Sequence, residues 1–178
     1  MNMRREHLEL EALDAGLRES GGFAVRVLYS AAAACADRDA GRANVVLGFE
    51  ADARRDHGRA EAAARSLMAG RMGADELRRL RIVQRMQAAI ERGVSVALRI
   101  ADLGRLSARR GAPEVEELDR LCRLANVLAG TLAESLAASG RARLELLAMA
   151  EELLLRTENA AAAGERQLDQ ARRLCLVS

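Results

Sequence analysis

Apolar residues recur along this chain at alternating intervals of three and four. Leu10, Leu13, Leu17, Gly21, Ala24, Leu28, Ala31 and Cys35 follow that rhythm, which keeps one stripe of an α-helix turned towards its neighbours. The clearest repeat runs through Leu80, Val83, Met86, Ile90, Val94, Ala97, Ile100 and Gly104. A weaker, alanine-rich one lies between them, with Val45, Val46, Phe49, Ala53, Ala60, Ala64 and Leu67. Beyond it come Leu118, Leu121, Ala125, Leu128, Leu132 and Leu136, and then Leu144, Leu147, Leu154, Leu168 and Leu174 around a duller middle. Turn-forming residues separate the five stretches at Ala36-Asp37-Arg38-Asp39, Gly70-Arg71-Met72-Gly73, Arg110-Gly111-Ala112-Pro113 and Ser139-Gly140. The pattern predicts five long helices.

Such helices are not stable alone, because most helical stability comes from burying the apolar stripe. Tight turns make the first three an up-down-up bundle over residues 1–111. Residues 112–178 supply two more, with Pro113 suited to a first helical turn, where a missing N–H costs nothing. Gly21-Gly22 within the first helix predicts close packing or a kink, since each glycine costs about 1 kcal/mol against alanine.

Composition sharpens the class. The 178 residues are 50% hydrophobic, enough for a core, yet only 2% aromatic, with one proline, no tryptophan and arginine as the sole basic residue besides two histidines. Ala, Leu, Glu and Arg dominate, which favours helix and excludes a sandwich, barrel or Rossmann sheet. The arginine bias reads as a GC-rich genome. A net charge of +2 is too small to drive non-specific nucleic-acid binding, and stacking aromatics are lacking. Three widely spaced cysteines, Cys35, Cys122 and Cys175, suggest neither a disulfide framework nor a zinc site and read as small core residues. No segment has a signal core or the length of a membrane span, so a cytoplasmic protein without membrane insertion is expected.

Enzyme signatures are absent: no glycine-rich phosphate loop, Gly-x-Ser-x-Gly elbow, His-Glu-x-x-His or paired Cys/His. His7 and His57 stand alone, and Met68, Met72, Met86 and Met149 read as gap-fillers. Neither catalytic residues nor a cofactor are therefore expected. Charge, however, is unevenly spread. Residues 1–111 carry 20 Arg against 15 Asp and Glu, whereas residues 112–178 carry 8 against 11, so the two parts differ in sign. The third helix alone has nine arginines against Asp75, Glu76, Glu91 and Asp102, and Arg78, Arg85, Arg92 and Arg99 fall at strict sevens. They form one stripe, drifting about 20° per heptad. It reads either as a solvated face whose stems cover apolar neighbours or as a docking site for an acidic partner.

The order of these features resembles the PhoU family, bacterial phosphate-uptake regulators built from two repeats of a three-helix bundle. The resemblance starts at Gly21-Gly22 and passes the Asp37-Arg38-Asp39 turn. It continues through Ala74-Asp75-Glu76-Leu77-Arg78, which is similar to the family's Ala-x-Asp-Leu-Arg, to Glu91-Arg92-Gly93-Val94-Ser95, where the family has Glu-Arg-Ile-Gly-Asp. It covers about residues 8–110, and 115–176 resembles the first two helices of a second repeat. Family members bind metal clusters through Glu/Asp-x-x-x-Asp pairs. Here Glu91 is followed by Ser95 and Glu50 by Arg54, each pair losing one oxygen donor, so no metal is expected at either. Asp52-x-x-x-Asp56 with His57 is an out-of-register candidate. The sequence ends at Ser178, before a third helix of the second repeat, which leaves an apolar stripe to cover. Either the last two helices fold back on the first bundle, or two chains complete each other as a homodimer, the arrangement favoured here. The resemblance implies a non-enzymatic regulator of phosphate uptake or phosphate-responsive signalling, docking on a phosphate-transporter ATPase or a sensor kinase. A degenerate scaffold or dimerisation protein, or a metal-binding bundle unrelated to phosphate, are the alternatives.

Overall fold

The computed structural model describes the backbone of residues 3–52, 55, 58, 62, 65, 66, 73–110 and 116–175. Its helices are α1 (Met3–Ala36), α2 (Ala40–Gly48), α3 (Ala74–Arg110), α4 (Glu116–Ala137) and α5 (Gly140–Cys175). Residues 50–52, 55, 58, 62, 65 and 66 are helical too, and no strand occurs among the described residues. The chain is an all-α bundle. Pro113, Ala53, Ala60, Ala64 and Leu67 lie outside the described residues.

Local chemistry sets several boundaries near the predicted breaks. After α1, Arg38 takes a left-handed conformation (φ 52°), and the N–H groups of Asp39 and Arg38 reach back to the carbonyls of Ala34 (2.9 Å) and Cys35 (3.2 Å). That is the double bond of a Schellman cap, built with arginine where glycine is commoner. Asp39 then caps α2 by accepting from the Arg42 N–H at 2.9 Å. Before α3, the Gly73 N–H donates to Glu76 Oε2 at 2.9 Å, the returning half of a capping box. At the turn into α5, Gly140 supplies the positive φ (56°). There the Arg143 Nε–H donates to the Ala138 carbonyl at 2.8 Å, satisfying an acceptor left over at the end of α4.

Four of the helices form the body of the bundle. The sites of Gly21, Gly93 and Gly104 set their relative directions: Gly21 faces Leu136, Gly93 faces Leu28 and Leu132, and Gly104 faces Cys35. Helices α1 and α3 therefore run parallel, with α4 antiparallel to both. Helix α5 packs on α4 and α3 and runs parallel to α3, while α2 lies against α3 and α1. The edge-to-face contact of Phe23 with Phe49, centroids 5.5 Å apart, ties the end of α2 to α1. A methyl group at Gly21 would stand 2.6 Å from Leu136, so the Gly21-Gly22 site serves close packing within one unbroken helix.

All the predicted stripe residues of α1 and α3 are buried, as are Leu118, Leu121, Ala125, Leu128 and Leu132 of α4, with Leu136 half-buried. Three expectations are corrected. Val45, Leu144 and Met149 are 62%, 37% and 54% exposed. In α5 the buried line runs through Leu147, Ala150, Leu154, Thr157, Ala161, Gly164 and Leu168. Its middle consists of small residues where α4 comes close, which is why it reads as dull, and Leu144 and Met149 fall off that line. Helix α3 buries a second row, Ala89, Val96 and Leu103, because α1, α2 and α5 surround it.

The buried residues of all five helices join in one hydrophobic cluster. Helices α4 and α5 lie on α1 and α3 of the same chain, so the stripe expected to seek a second chain is covered internally. Among the described residues, no helix is long and apolar enough to cross a membrane.

Candidate functional site

The arginine stripe of α3 meets α5. Arg85 donates from Nε and Nη2 to the two carboxylate oxygens of Glu151 at 3.2 and 2.8 Å. Arg92 does the same to Glu158 at 3.0 and 2.8 Å. Arg99 places Nε and Nη2 on one oxygen of Glu165 at 3.0 and 2.9 Å. Each pair is separated by 66 residues, so two stripes with a seven-residue repeat engage in one register. The hydrogen bonds to Glu151 hold the Arg85 guanidinium still more firmly protonated, and those to Glu158 do so for Arg92. Arg78 is the exception. The same offset leads to Leu144, which has no charge to offer, and Arg78 turns instead to Asp75 on its own helix at 3.5 Å. Three of the four stripe arginines thus find their acidic counterpart inside the chain. An external partner is not needed to neutralise them.

This pairing accounts for the opposite charges of the two parts. Sequence reasoning passed over Glu151, Glu158 and Glu165, although their spacing of seven matches that of the arginines. Partial exposure, 43% for the Arg92 side chain and 29% for Glu158, keeps each rung worth about 0.5–1 kcal/mol. Their main effect is to fix how α5 lies along α3.

Glu50, Glu91 and Ser95 are exposed, and Asp52 pairs with Arg55. Among the described residues no group of three or more His, Cys, Asp or Glu side chains could hold a metal ion. Arg54, Asp56, His57, Met68 and Met72 lie outside the described residues, as do the side chains of His7 and Cys175.

Two further groupings join residues far apart in sequence. Cys35 of α1 and Cys122 of α4 are buried against each other as free thiols. Their mutual hydrogen bond and burial push the Cys35 thiol well above its ordinary pKa. At the end of the bundle where α1 and α3 begin and α4 turns into α5, a cavity of ≈ 390 Å³ opens. Its polar wall is Asp14 and Arg18 from α1, Arg79 from α3, and Ser139 and Arg143 from the turn and α5. Asp14 accepts from Arg18 at 2.9 Å through Oδ2 and from Arg143 at 3.1 Å through Oδ1.

No family model, curated protein or solved structure matches the chain.

Proposed function

We propose that this chain is a non-catalytic helical-bundle regulator of phosphate uptake or phosphate-responsive signalling in the bacterial cytoplasm, acting by contact with other proteins as its resemblance to PhoU implies. The observation that carries the reading is the character of the interior. The buried polar side chains among the described residues are four hydroxyls, Ser107, Thr131, Ser135 and Thr157, set in an otherwise apolar core. Such a core supplies shape and stiffness, and the outer surface is left for recognition. With Arg85, Arg92 and Arg99 engaged by α5, the part of the α3 basic stripe left open to an acidic partner lies at the start of that helix. There Arg78 and Arg81 are exposed, and Arg78 has only the weak local contact with Asp75. A phosphate-transporter ATPase or a sensor kinase with an acidic face fits this surface.

The test is binding of the purified chain to a purified phosphate-transport ATPase and to a phosphate sensor kinase. Binding to one of them is expected, with loss in R78E/R81E and no loss of helicity. Absence of binding to both proteins overturns the reading.

Self-association is the second reading, favoured by one feature. Tyr29 and Val127, 45% and 55% exposed, lie on the α1–α4 surface beside Gly130, whose Cβ would stand 3.7 Å from the tyrosine oxygen. Light scattering decides it: twice the chain mass at micromolar concentration supports a homodimer, and one chain mass removes it.

A further inference from the structure

The cavity at the end of the bundle joins charges in an unequal ratio: three guanidiniums, Arg18, Arg79 and Arg143, against the single carboxylate of Asp14. Both Asp14 oxygens are already taken, one by Arg18 and one by Arg143, and the Asp14 side chain is only 19% exposed. This carboxylate bridges Arg18 and Arg143 at the wall. Arg143 is further fixed by the Ala138 carbonyl at 2.8 Å and is only 15% exposed. Arg79 reaches the cavity from a third element and has no carboxylate partner among the described residues. The cavity wall therefore carries a formal charge of +2, with Arg143 anchored in it and no second carboxylate among the residues that line it.

A guanidinium presents five N–H donors. Arg143 spends one each on Asp14 and the Ala138 carbonyl, with a longer contact to Leu136 at 3.5 Å, and Arg18 spends one on Asp14. Donors remain on all three arginines. Planar forks of this kind suit the tetrahedral oxygens of a phosphoryl group, and a phosphoryl dianion balances the charge. Leu10, Ile82 and Val83 form an apolar wall beside them. The volume of ≈ 390 Å³ exceeds what a bare phosphate fills.

We propose that the cavity between the start of α1, the start of α3 and the α4–α5 turn is a binding site for a phosphoryl dianion, free or as the monoester of a small apolar body. Arg18, Arg79 and Arg143 bind the oxygens and Asp14 is a positioning residue. The proposal stands on the cavity alone and does not depend on the regulatory reading, since its test involves no partner protein.

The test is isothermal titration of the full chain with inorganic phosphate and with phenyl phosphate, against sodium chloride at equal ionic strength, at a pH near 8 where both probes are dianions. Saturable binding of phosphate or phenyl phosphate beyond the chloride control is expected. R79A and R18A, both changes at exposed positions, are each expected to weaken it by about tenfold, the usual scale for one charge-assisted hydrogen bond. R156A, which removes an exposed arginine of α5 outside the cavity, is the control for net charge and leaves binding unchanged. Tighter binding of phenyl phosphate supports the site with a monoester as its ligand, and tighter binding of inorganic phosphate supports it with the free ion. No response beyond chloride, or equal losses in R79A and R156A, overturns the proposal. A melting curve of each variant that matches the wild type shows that a lost response reflects the site and not the fold.

Discussion

Two glycines that look alike in sequence differ in what surrounds them. At Gly104 a methyl group would stand 2.7 Å from the Cα of Cys35, so the backbone of α1 or α3 must move. At Gly21 the atoms in the way, 2.6 Å off, are the tips of the Leu136 side chain, which is half-buried and able to turn aside. Gly104→Ala is therefore expected to lower stability by about 2 kcal/mol, in the range of overpacking a core. Gly21→Ala should change it by less than about 1 kcal/mol, because alanine's better helix propensity offsets the crowding. Urea denaturation of both variants checks the order. Ser107 offers the opposite case. It is fully buried, and its hydroxyl has no hydrogen-bond partner among the described residues. Thr131, Ser135 and Thr157 each donate to a carbonyl of their own helix. Ser107→Ala removes an unpaired polar group and is expected to raise stability by up to about 1 kcal/mol. Thr157→Ala, which breaks a satisfied bond and leaves a gap, should lower it. Which glycine touches backbone is invisible in a seven-residue pattern, because it depends on the neighbouring helix.

At the scale of helices, the α3–α5 ladder is the feature most open to a test of register. Arg92→Glu sets a second carboxylate face to face with Glu158 and is expected to cost about 1 kcal/mol, somewhat more than loss of an exposed pair. Glu158→Arg should do the same with two guanidiniums. The doubly reversed variant R92E/E158R restores an opposite pair in the same place, and recovery of most of the lost stability in a thermal melt confirms that the two side chains act on each other. Simple additivity of the two losses would show that they do not. Half of this ladder was legible: Arg78, Arg85, Arg92 and Arg99 stand out as a basic stripe. The other half lies 66 residues further on in a mixed-charge helix. Helix α5 carries exposed arginines as well as glutamates, so composition hides the acidic row until α5 is laid along α3. The helix boundaries, by contrast, were readable to within a few residues, because Asp39, Gly73 and Gly140 act on their own backbone and need no distant partner.

One core reaches into each of α1 to α5. The molecule is expected to unfold in a single transition, with loss of helicity by circular dichroism coinciding with exposure of Cys35 and Cys122 to a thiol reagent. These thiols are 3% and 6% exposed and should resist the reagent in the native protein. Two separate transitions would instead mark residues 1–111 and 112–178 as independent units. From the sequence alone came the all-α class, several of the helix breaks and nearly the whole buried stripe of α1, α3 and α4, since these follow from the 3.6-residue repeat and from caps that work locally; the turn at Phe49, which ends the second helix at Gly48, did not. Tertiary structure decided how the last two helices are covered, which charges cancel, and where charge is left over. Those outcomes depend on which faces meet across long separations in the chain. A repeat along one helix names the face that must be buried, and only the packed bundle determines which other face buries it.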